Sequence, residues 1–465
     1  MKRLAAILAF ASLVAGQSFA VAPVASPARI SVHKPSRPKI VLRRSPIRHV
    51  VIIYQENHSF DEVLGAVCRQ RRVRCNGSTA NVTLADGHTV RNRISPDIVP
   101  GMAHDPRAQR LGISNRWGRI SGCHAATHYA CVTHYRPRQI PNLTRLADRY
   151  AVSDATFAAG DAASFGAHVE LGLGRSDGFV GVNPVPSKTG VPPVNRGWGC
   201  PSRRDAAWSD GLTVSFQPSC IPRRNGTGAY RPTRVPYAKS IMQQLGAAGL
   251  SWKVYNGLPQ NAPNRDGKFN ICNYDVWCWH RRRLIAYNPP WRRFRADARH
   301  GALPNLALIP ASGGDTAQHN GNSMANGDNY LGVLVKAAMH GPEWNSTAIF
   351  ITYDDCGCFY DHVTPPSGLG PRNPMVIVSP WVKPSFTDSN EAVQPYSMLA
   401  FVDHNFRLRP LTRNVRNAYG YAKSFDLRAA RPPTTATPPM VHQHISQRTK
   451  REVRRLAPTE EADPT

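Results

Sequence analysis

Acidic side chains are scarce in this chain: 30 Asp and Glu stand against 58 Lys and Arg, a formal charge of +28 over 465 residues. Such a surplus predicts attraction to polyanions such as lipid headgroups, nucleic acid or cell-wall polymers. It is equally compatible with a solvated basic surface, because charge alone fixes no partner. Long apolar runs are also missing. Beyond the N-terminus nothing approaches the ~18 uninterrupted apolar residues of a membrane-spanning helix, and no segment reads as an amphipathic membrane-docking helix. No internal repeat is visible, which removes solenoid and propeller arrays.

What is present begins with an export pattern. Lys2 and Arg3 precede an apolar stretch over residues 4–14, and Ser18-Phe19-Ala20 has the small-residue form of a cleavage site. Cleavage is expected after Ala20, giving a secreted or periplasmic, soluble protein. Ten cysteines in an exported chain point to disulfides. Sequence proximity pairs Cys68 with Cys75, Cys123 with Cys131, Cys200 with Cys220 and Cys272 with Cys278, although spacing alone does not fix connectivity. That leaves the Cys356-Gly357-Cys358 triplet. A bridge across one residue is a small, strained ring; the competing reading is a thiolate metal site, which export and the oxygen-rich surroundings disfavour. A disulfide is expected.

Residues 21–46 are rich in Pro and basic side chains and read as an extended lead-in. The body starts near Ile47. Residues 66–135 and 183–300 are dense in turn formers and read as loop-rich insertions, and residues 428–465 as a low-complexity tail. Strands are expected at 50–55, 151–156, 251–255, 306–310, 348–353 and 374–380, with helices at 141–150, 240–248, 329–339 and 397–406. One basic cluster stands out, His280-Arg281-Arg282-Arg283 followed by Trp291-Arg292-Arg293 and Arg295. Mixed Trp and Arg can grip phosphates or stack on rings, or can cap a surface loop.

The chemistry concentrates in two strings, VVIIYQENHSFDEVLG (50–65) and AIFITYDDCGCFYDHVTPP (348–366). Each is a β-branched apolar run, the pattern of a buried parallel strand, ending in acidic and amide side chains. Functional groups of open α/β sheets gather beyond the carboxyl ends of such strands. Glu56 and Asn57 from one end, with Asp354 and Asp355 from the other, would supply oxygen ligands to a divalent cation of unread identity. Ser164, in Gly160-Asp-Ala-Ala-Ser-Phe-Gly-Ala-His168, presents a hydroxyl that a cation could activate; it could instead cap the following helix. His168 shares its face, to orient or to pack. His104, His319 and His362 sit in polar loops, suited to phosphate contact or leaving-group protonation.

These residues resemble the bacterial phosphoesterase family that contains secreted non-specific phospholipases C and a respiratory-burst-inhibiting acid phosphatase. ENHSFDEVLG is similar to its Glu-Asn-x-Ser-Phe-Asp motif, DDCGCFYDHVTPP to its Asp-Asp/Glu-x-Gly-Gly-Phe-x-Asp-His-Val-x-Pro-Pro motif, and GPRNPMVIVSPWVKP to its Gly-x-Arg-x-Pro segment. The resemblance spans residues 47–408. It implies an α/β fold: a three-layer α/β/α sandwich with a mostly parallel central sheet, alkaline-phosphatase/arylsulfatase-like, plus loop-rich insertions, forming one catalytic domain over 47–427. It further implies Glu56, Asn57, Ser164, Asp354 and Asp355 as metal ligands, Ser164 as nucleophile, and His104, His319 and His362 as catalytic histidines. The substrate would be a phosphate ester, a monoester or a phospholipid headgroup. Gly166, Asn320, Cys356 and Cys358 depart from the family pattern.

Two rivals remain. A serine esterase would use Ser164 in an Ala-Ala-Ser-Phe-Gly elbow with Asp403-His404, which leaves both acidic strand ends without a task. A non-enzymatic polyanion binder would rest on charge alone.

Overall fold

The six apolar segments expected to be strands lie side by side in one seven-stranded sheet of the computed structural model. The structure describes residues 45–460 apart from 72–73, 188, 191, 194–196, 257–267, 282–286 and 312–315. The export pattern and nearly all of the Pro-rich lead-in lie outside the described residues, as do Arg282 and Arg283 of the basic cluster.

In chain order the elements used below are β1 (His49–Gln55), α1 (Pro106–Ile113), α2 (Pro141–Arg149), β2 (Ala151–Ser153), α3 (Ser164–Leu173), β3 (Arg204–Ser209), β4 (Val214–Pro218), α4 (Ile241–Ala247), β5 (Trp252–Val254), β6 (Leu306–Pro310), α5 (Met324–Met339), β7 (Thr347–Tyr353), β8 (Met375–Val378), β9 (Thr387–Asp388), α6 (Tyr396–Asn405) and α7 (Gln447–Glu460). The large sheet runs β5-β6-β1-β7-β8-β2-β9. Only β8 opposes the others. β1 and β7 are central neighbours in register, Val50 beside Ala348 through Gln55 beside Tyr353, so both acidic motifs leave the sheet at the same edge.

Helices cover both faces, as the alternation of β7 requires. Phe350 packs edge-on against Phe401 of α6, and Tyr54 of β1 packs against His168 of α3. Tyr353 projects the other way and donates its hydroxyl to Gln318 ahead of α5. This is the expected α/β/α layering. α5 starts five residues before the expected position because Ser323 caps it, accepting from Asn326 N at 3.2 Å; the Asn, Gly and Asp of its first turn hide that start in the sequence. In the tail, residues 434–443 are tied to the body. Asn142 Nδ2 donates to Val441 O and Asn329 Nδ2 to Gln443 O, and α7 follows.

The four disulfides form between the pairs that proximity indicates. The expected fifth does not. Cys356 and Cys358 are buried free thiols with their sulfurs 3.7 Å apart. Gly357 between them has φ +53°, and a Cβ there would lie 2.1 Å from Asn57 O. The left-handed turn, with Gly357 N donating to Asp355 Oδ1 at 2.7 Å, braces the loop without a covalent bond.

A buried charge knot locks the three motif segments together. Arg372 is fully buried, with Nε 3.1 Å from Asp361 Oδ1, Nη2 3.2 Å from Asp61 Oδ1, and Nη1 donating to the carbonyls of Asn76 and Asp154 at 2.7 and 2.8 Å. Its guanidinium lies 4.0 Å over the Phe60 ring. His362 joins this knot, Nδ1 2.5 Å from Asp61 Oδ2 and Nε2 3.0 Å from Asn76 Oδ1. Burial pushes Asp361 up to about 6 even with Arg372 beside it. Removing one partner of a buried pair strands the other charge.

Arg372→Ala should therefore cost about 3–5 kcal/mol in denaturant unfolding; a loss below about 1 kcal/mol would contradict the knot. The hydrogen bond to Asp61 raises the His362 pKa. A raised folded value stabilises fully below the unfolded value of about 6.5 and is lost as pH rises through the folded one. The wild-type urea midpoint should fall relative to His362→Asn as pH is raised across that window, and parallel curves would refute the assignment. Denatured without reductant, the chain should react with two equivalents of a thiol reagent, counting ten cysteines less eight in disulfides; no reaction would restore the fifth bridge.

Candidate active site

The carboxyl ends of β1 and β7 are stitched together before any ligand is considered. Asp354 N donates to Gln55 O at 3.0 Å, and Asn57 N donates to Asp354 Oδ1 at 3.0 Å. Asn57 takes φ +55° to make that turn, a conformation that asparagine tolerates better than most residues. Glu56, Asn57, Asp354 and Asp355 are all buried.

Ser164 arrives from the other face. It is the first residue of α3, whose N-cap is Ala163, so its hydroxyl does not serve as the helix cap. Ala163 N donates to Gly181 O and Phe165 N to Asn183 Oδ1, which fix the turn from outside. Ser164 Oγ points at the acidic cluster, 3.3 Å from Glu56 Oε2 and 3.4 Å from Asn57 Oδ1. One helical turn on, His168 Nδ1 lies 2.8 Å from Ser164 O and must donate to it, which leaves Nε2 with a bare lone pair in the neutral ring.

His104 and His319 complete the near shell around Asn57. His104 Nδ1 donates to Met102 O at 2.8 Å and His319 Nδ1 to Asn320 O at 2.9 Å, so both are oriented by backbone carbonyls. Their rings meet edge to face, 5.8 Å between centroids. Each presents Nε2 to the Asn57 carboxamide, at 3.2 and 2.8 Å. The amide is satisfied with its nitrogen toward Asp354, donating to Oδ1 at 2.9 Å, and its oxygen toward the two imidazoles.

Three observations fit a cation. Glu56 Oε1 and His168 Nε2 are buried without hydrogen-bond partners and face each other at 3.6 Å. Glu56, His168 and Asp354 each offer one ligand atom within 4.8 Å of the others. Burial, and next the neighbouring Asp354 charge, holds the Glu56 carboxyl well above the carboxylate range. Clustered carboxylates are tolerated when protons or a metal neutralise them.

Of the expected site residues the structure therefore gathers Glu56, Asn57, Ser164, Asp354, His104 and His319. Asp355 is adjacent, with Oδ1 engaged by Gly357 N. His362 instead contacts Asp61, Asn76 and Arg372 in the charge knot. Asp403, the esterase alternative, accepts from Gln244 Nε2 and Leu411 N, and its neighbour His404 is exposed on α6. Two residues escaped sequence reasoning. His168 reads from sequence as either an orienting or a packed residue, and only its i+4 spacing from Ser164 signals the site. His58, inside the first motif, pairs through Nδ1 with Glu62 Oε2 at 2.7 Å and through Nε2 with Gln318 O at 2.7 Å, fixing the residue before His319.

Comparison with known proteins decides the family. The phosphoesterase family model matches residues 47–409. The chain belongs to the phosphoesterase family. It is 23% identical over 414 residues to the non-hemolytic phospholipase C of Burkholderia pseudomallei, covering 78% of this chain and 55% of that one. Non-specific phospholipase C1 of Arabidopsis thaliana is 23% identical, covering 73% of this chain and 62% of that one. Phospholipase C A of Mycobacterium tuberculosis is 24% identical over 72% of this chain and 68% of its own. This phosphoesterase thus spans little more than half the length of the Burkholderia relative. Its three motif segments lie inside the matched region.

If the orphaned oxygens await a cation, Mn²⁺, Ca²⁺ or Zn²⁺ should raise the apparent melting temperature of chelator-treated protein, and Asp354→Asn should abolish the shift. An equal shift in wild type and variant would place the ion elsewhere.

Proposed function

We propose that this phosphoesterase is an exported, metal-dependent hydrolase of phosphate esters that carries the phosphoryl group on Ser164 between two displacements. The observation behind it is the Ser164 hydroxyl at the first position of α3, 3.3 Å from Glu56, beside buried acceptors that have no proton to receive. Glu56, Asn57, Ser164, Asp354 and Asp355 would hold the divalent ion, with His168 Nε2 in reach of Glu56. Bound there, the ion supplies Lewis-acid stabilisation of the serine alkoxide and of the phosphoryl oxygens.

The protein's own groups do the rest. Ser164 Oγ passes its proton to Glu56 Oε2, 3.3 Å away, and attacks phosphorus in line, with the positive end of the α3 dipole on the side of the charge that develops. The P–O bond to the alcohol breaks as the new Ser164 ester forms. His104 or His319, protonated at Nε2 while Nδ1–H stays on its carbonyl, donates to the departing oxygen. Water then attacks the phosphoserine and the neutral histidine takes its proton; the P–O bond to Ser164 breaks, and Ser164 Oγ recovers the proton held on Glu56. His362 takes no proton in this scheme; through Asp61 it holds the loop that carries Asp354. The names of the relatives favour a phospholipid headgroup over a simple monoester, with diacylglycerol as the departing alcohol. Four disulfides support export.

The test is a substrate panel of p-nitrophenyl phosphate, p-nitrophenyl phosphorylcholine and phosphatidylcholine, with metal added back after chelation. Wild type should cleave at least one substrate, and Ser164→Ala should fall about 10³-fold or more. Activity indifferent to chelation, or a Ser164→Ala loss within about tenfold, would sink the proposal.

A further inference from the structure

Among the described residues five large apolar side chains are exposed, and four of them belong to one patch: Val180 at 38%, Leu212 at 94%, Val214 at 64% and Phe216 at 37%. The patch is the outer face of the β3–β4 hairpin. Val214 and Phe216 alternate outward along β4, opposite Ser209 and Ala207, while Trp208 of β3 turns inward. Phe179 pairs with Trp208, so the next residue, Val180, turns to the same face as Val214 and Phe216, its N–H donating to Ala207 O at 3.1 Å. Leu212 sits at the tip on a turn fixed by Asp210, whose Oδ1 accepts from Leu212 N and Thr213 N at 2.9 and 2.8 Å. β4 is the edge of its three-stranded sheet. An exposed apolar edge is a liability in a soluble protein unless something covers it.

The charge of the segment that carries the patch indicates what covers it. Residues 203–234 hold six arginines (203, 204, 223, 224, 231, 234) against two aspartates. Both aspartates are ion-paired, Asp205 with Arg231, whose Nη2 also donates to Phe216 O at 2.9 Å, and Asp210 of the hairpin turn with Arg234, so the segment keeps a net positive charge. An apolar tip on a net-basic segment of a chain with formal charge +28 matches the interface of an anionic bilayer, where apolar groups enter the acyl boundary and arginines meet headgroup phosphates. A second copy of a chain with formal charge +28 would instead bring two basic surfaces together.

The hairpin is also joined to the active site. Gly178 O accepts from Ser209 N, and Gly181 O accepts from Ala163 N, the residue before Ser164. We propose that the Leu212–Val214–Phe216 hairpin, with Val180, is a docking surface that seats the protein on anionic phospholipid membranes beside the Ser164 turn. This goes beyond the catalytic reading and requires no turnover.

The experiment is co-sedimentation of the full chain with vesicles of phosphatidylcholine alone and of phosphatidylcholine mixed with phosphatidylglycerol. Wild type, Leu212→Asp/Val214→Asp and Ser164→Ala are compared. Wild type and Ser164→Ala should pellet with the mixed vesicles and weaken as salt rises. The double variant should lose about tenfold or more in partitioning while its hydrolysis of a soluble p-nitrophenyl ester matches wild type. Binding by Ser164→Ala in a protein without esterase activity would retain docking and sink only the catalytic proposal. Equal pelleting of the double variant, no vesicle binding by wild type, or a wild-type dimer dispersed by the same substitutions would overturn the docking proposal.

Discussion

Glu56 and Asp354 are carboxylates from adjacent parallel strands, buried together with no Lys or Arg ion-paired to either among the described residues. In a low-dielectric site two such groups cannot both stay ionised without a positive partner, and the fold keeps them there all the same. β1 and β7 run in register to the same edge, Asn57 N and Asp354 are hydrogen-bonded across the gap, and Gly357 is squeezed against Asn57 O where no Cβ fits. The unpartnered Nε2 of His168, facing Glu56 at 3.6 Å, sharpens the same demand.

The same problem is solved the opposite way a few residues on. Asp61 and Asp361 are also buried, yet Arg372 lies between them with a full set of hydrogen bonds and an aromatic ring beneath it. Each cluster takes one carboxylate from the first motif and one from the second. The closed cluster fixes how the loops meet, and the open one gathers Glu56, Asp354 and His168 with ligand atoms within 4.8 Å of one another. His362 belongs to the closed cluster by geometry, tying the loop after Asp354 to Asp61 and Asn76.

The sequence made the sheet readable because buried parallel strands are short, β-branched and bounded by turn formers; β1, β6, β7 and β8 are of that kind. The oxygen ligands at the ends of β1 and β7 were readable for the same reason. Three features were not. His168 lies inside an apolar helical stretch, where a packed histidine and one facing a metal look alike. The Cys356–Cys358 bridge was inferred from compartment chemistry, but the left-handed Gly357 turn parts the sulfurs. The exposed face of β4 has the same alternation as a half-buried strand, and periodicity does not say which side meets solvent.

The central claim is that Ser164 receives the phosphoryl group at a site completed by a divalent cation. It is tested most directly by acid-quenching the enzyme during turnover of the best substrate and mapping phosphate by mass spectrometry, with and without prior chelation. The account predicts phosphate on the peptide carrying Ser164 in the metal-supplied enzyme and none after chelation. Turnover with no phosphate ever found on Ser164, or equal labelling of the chelated enzyme, would contradict it.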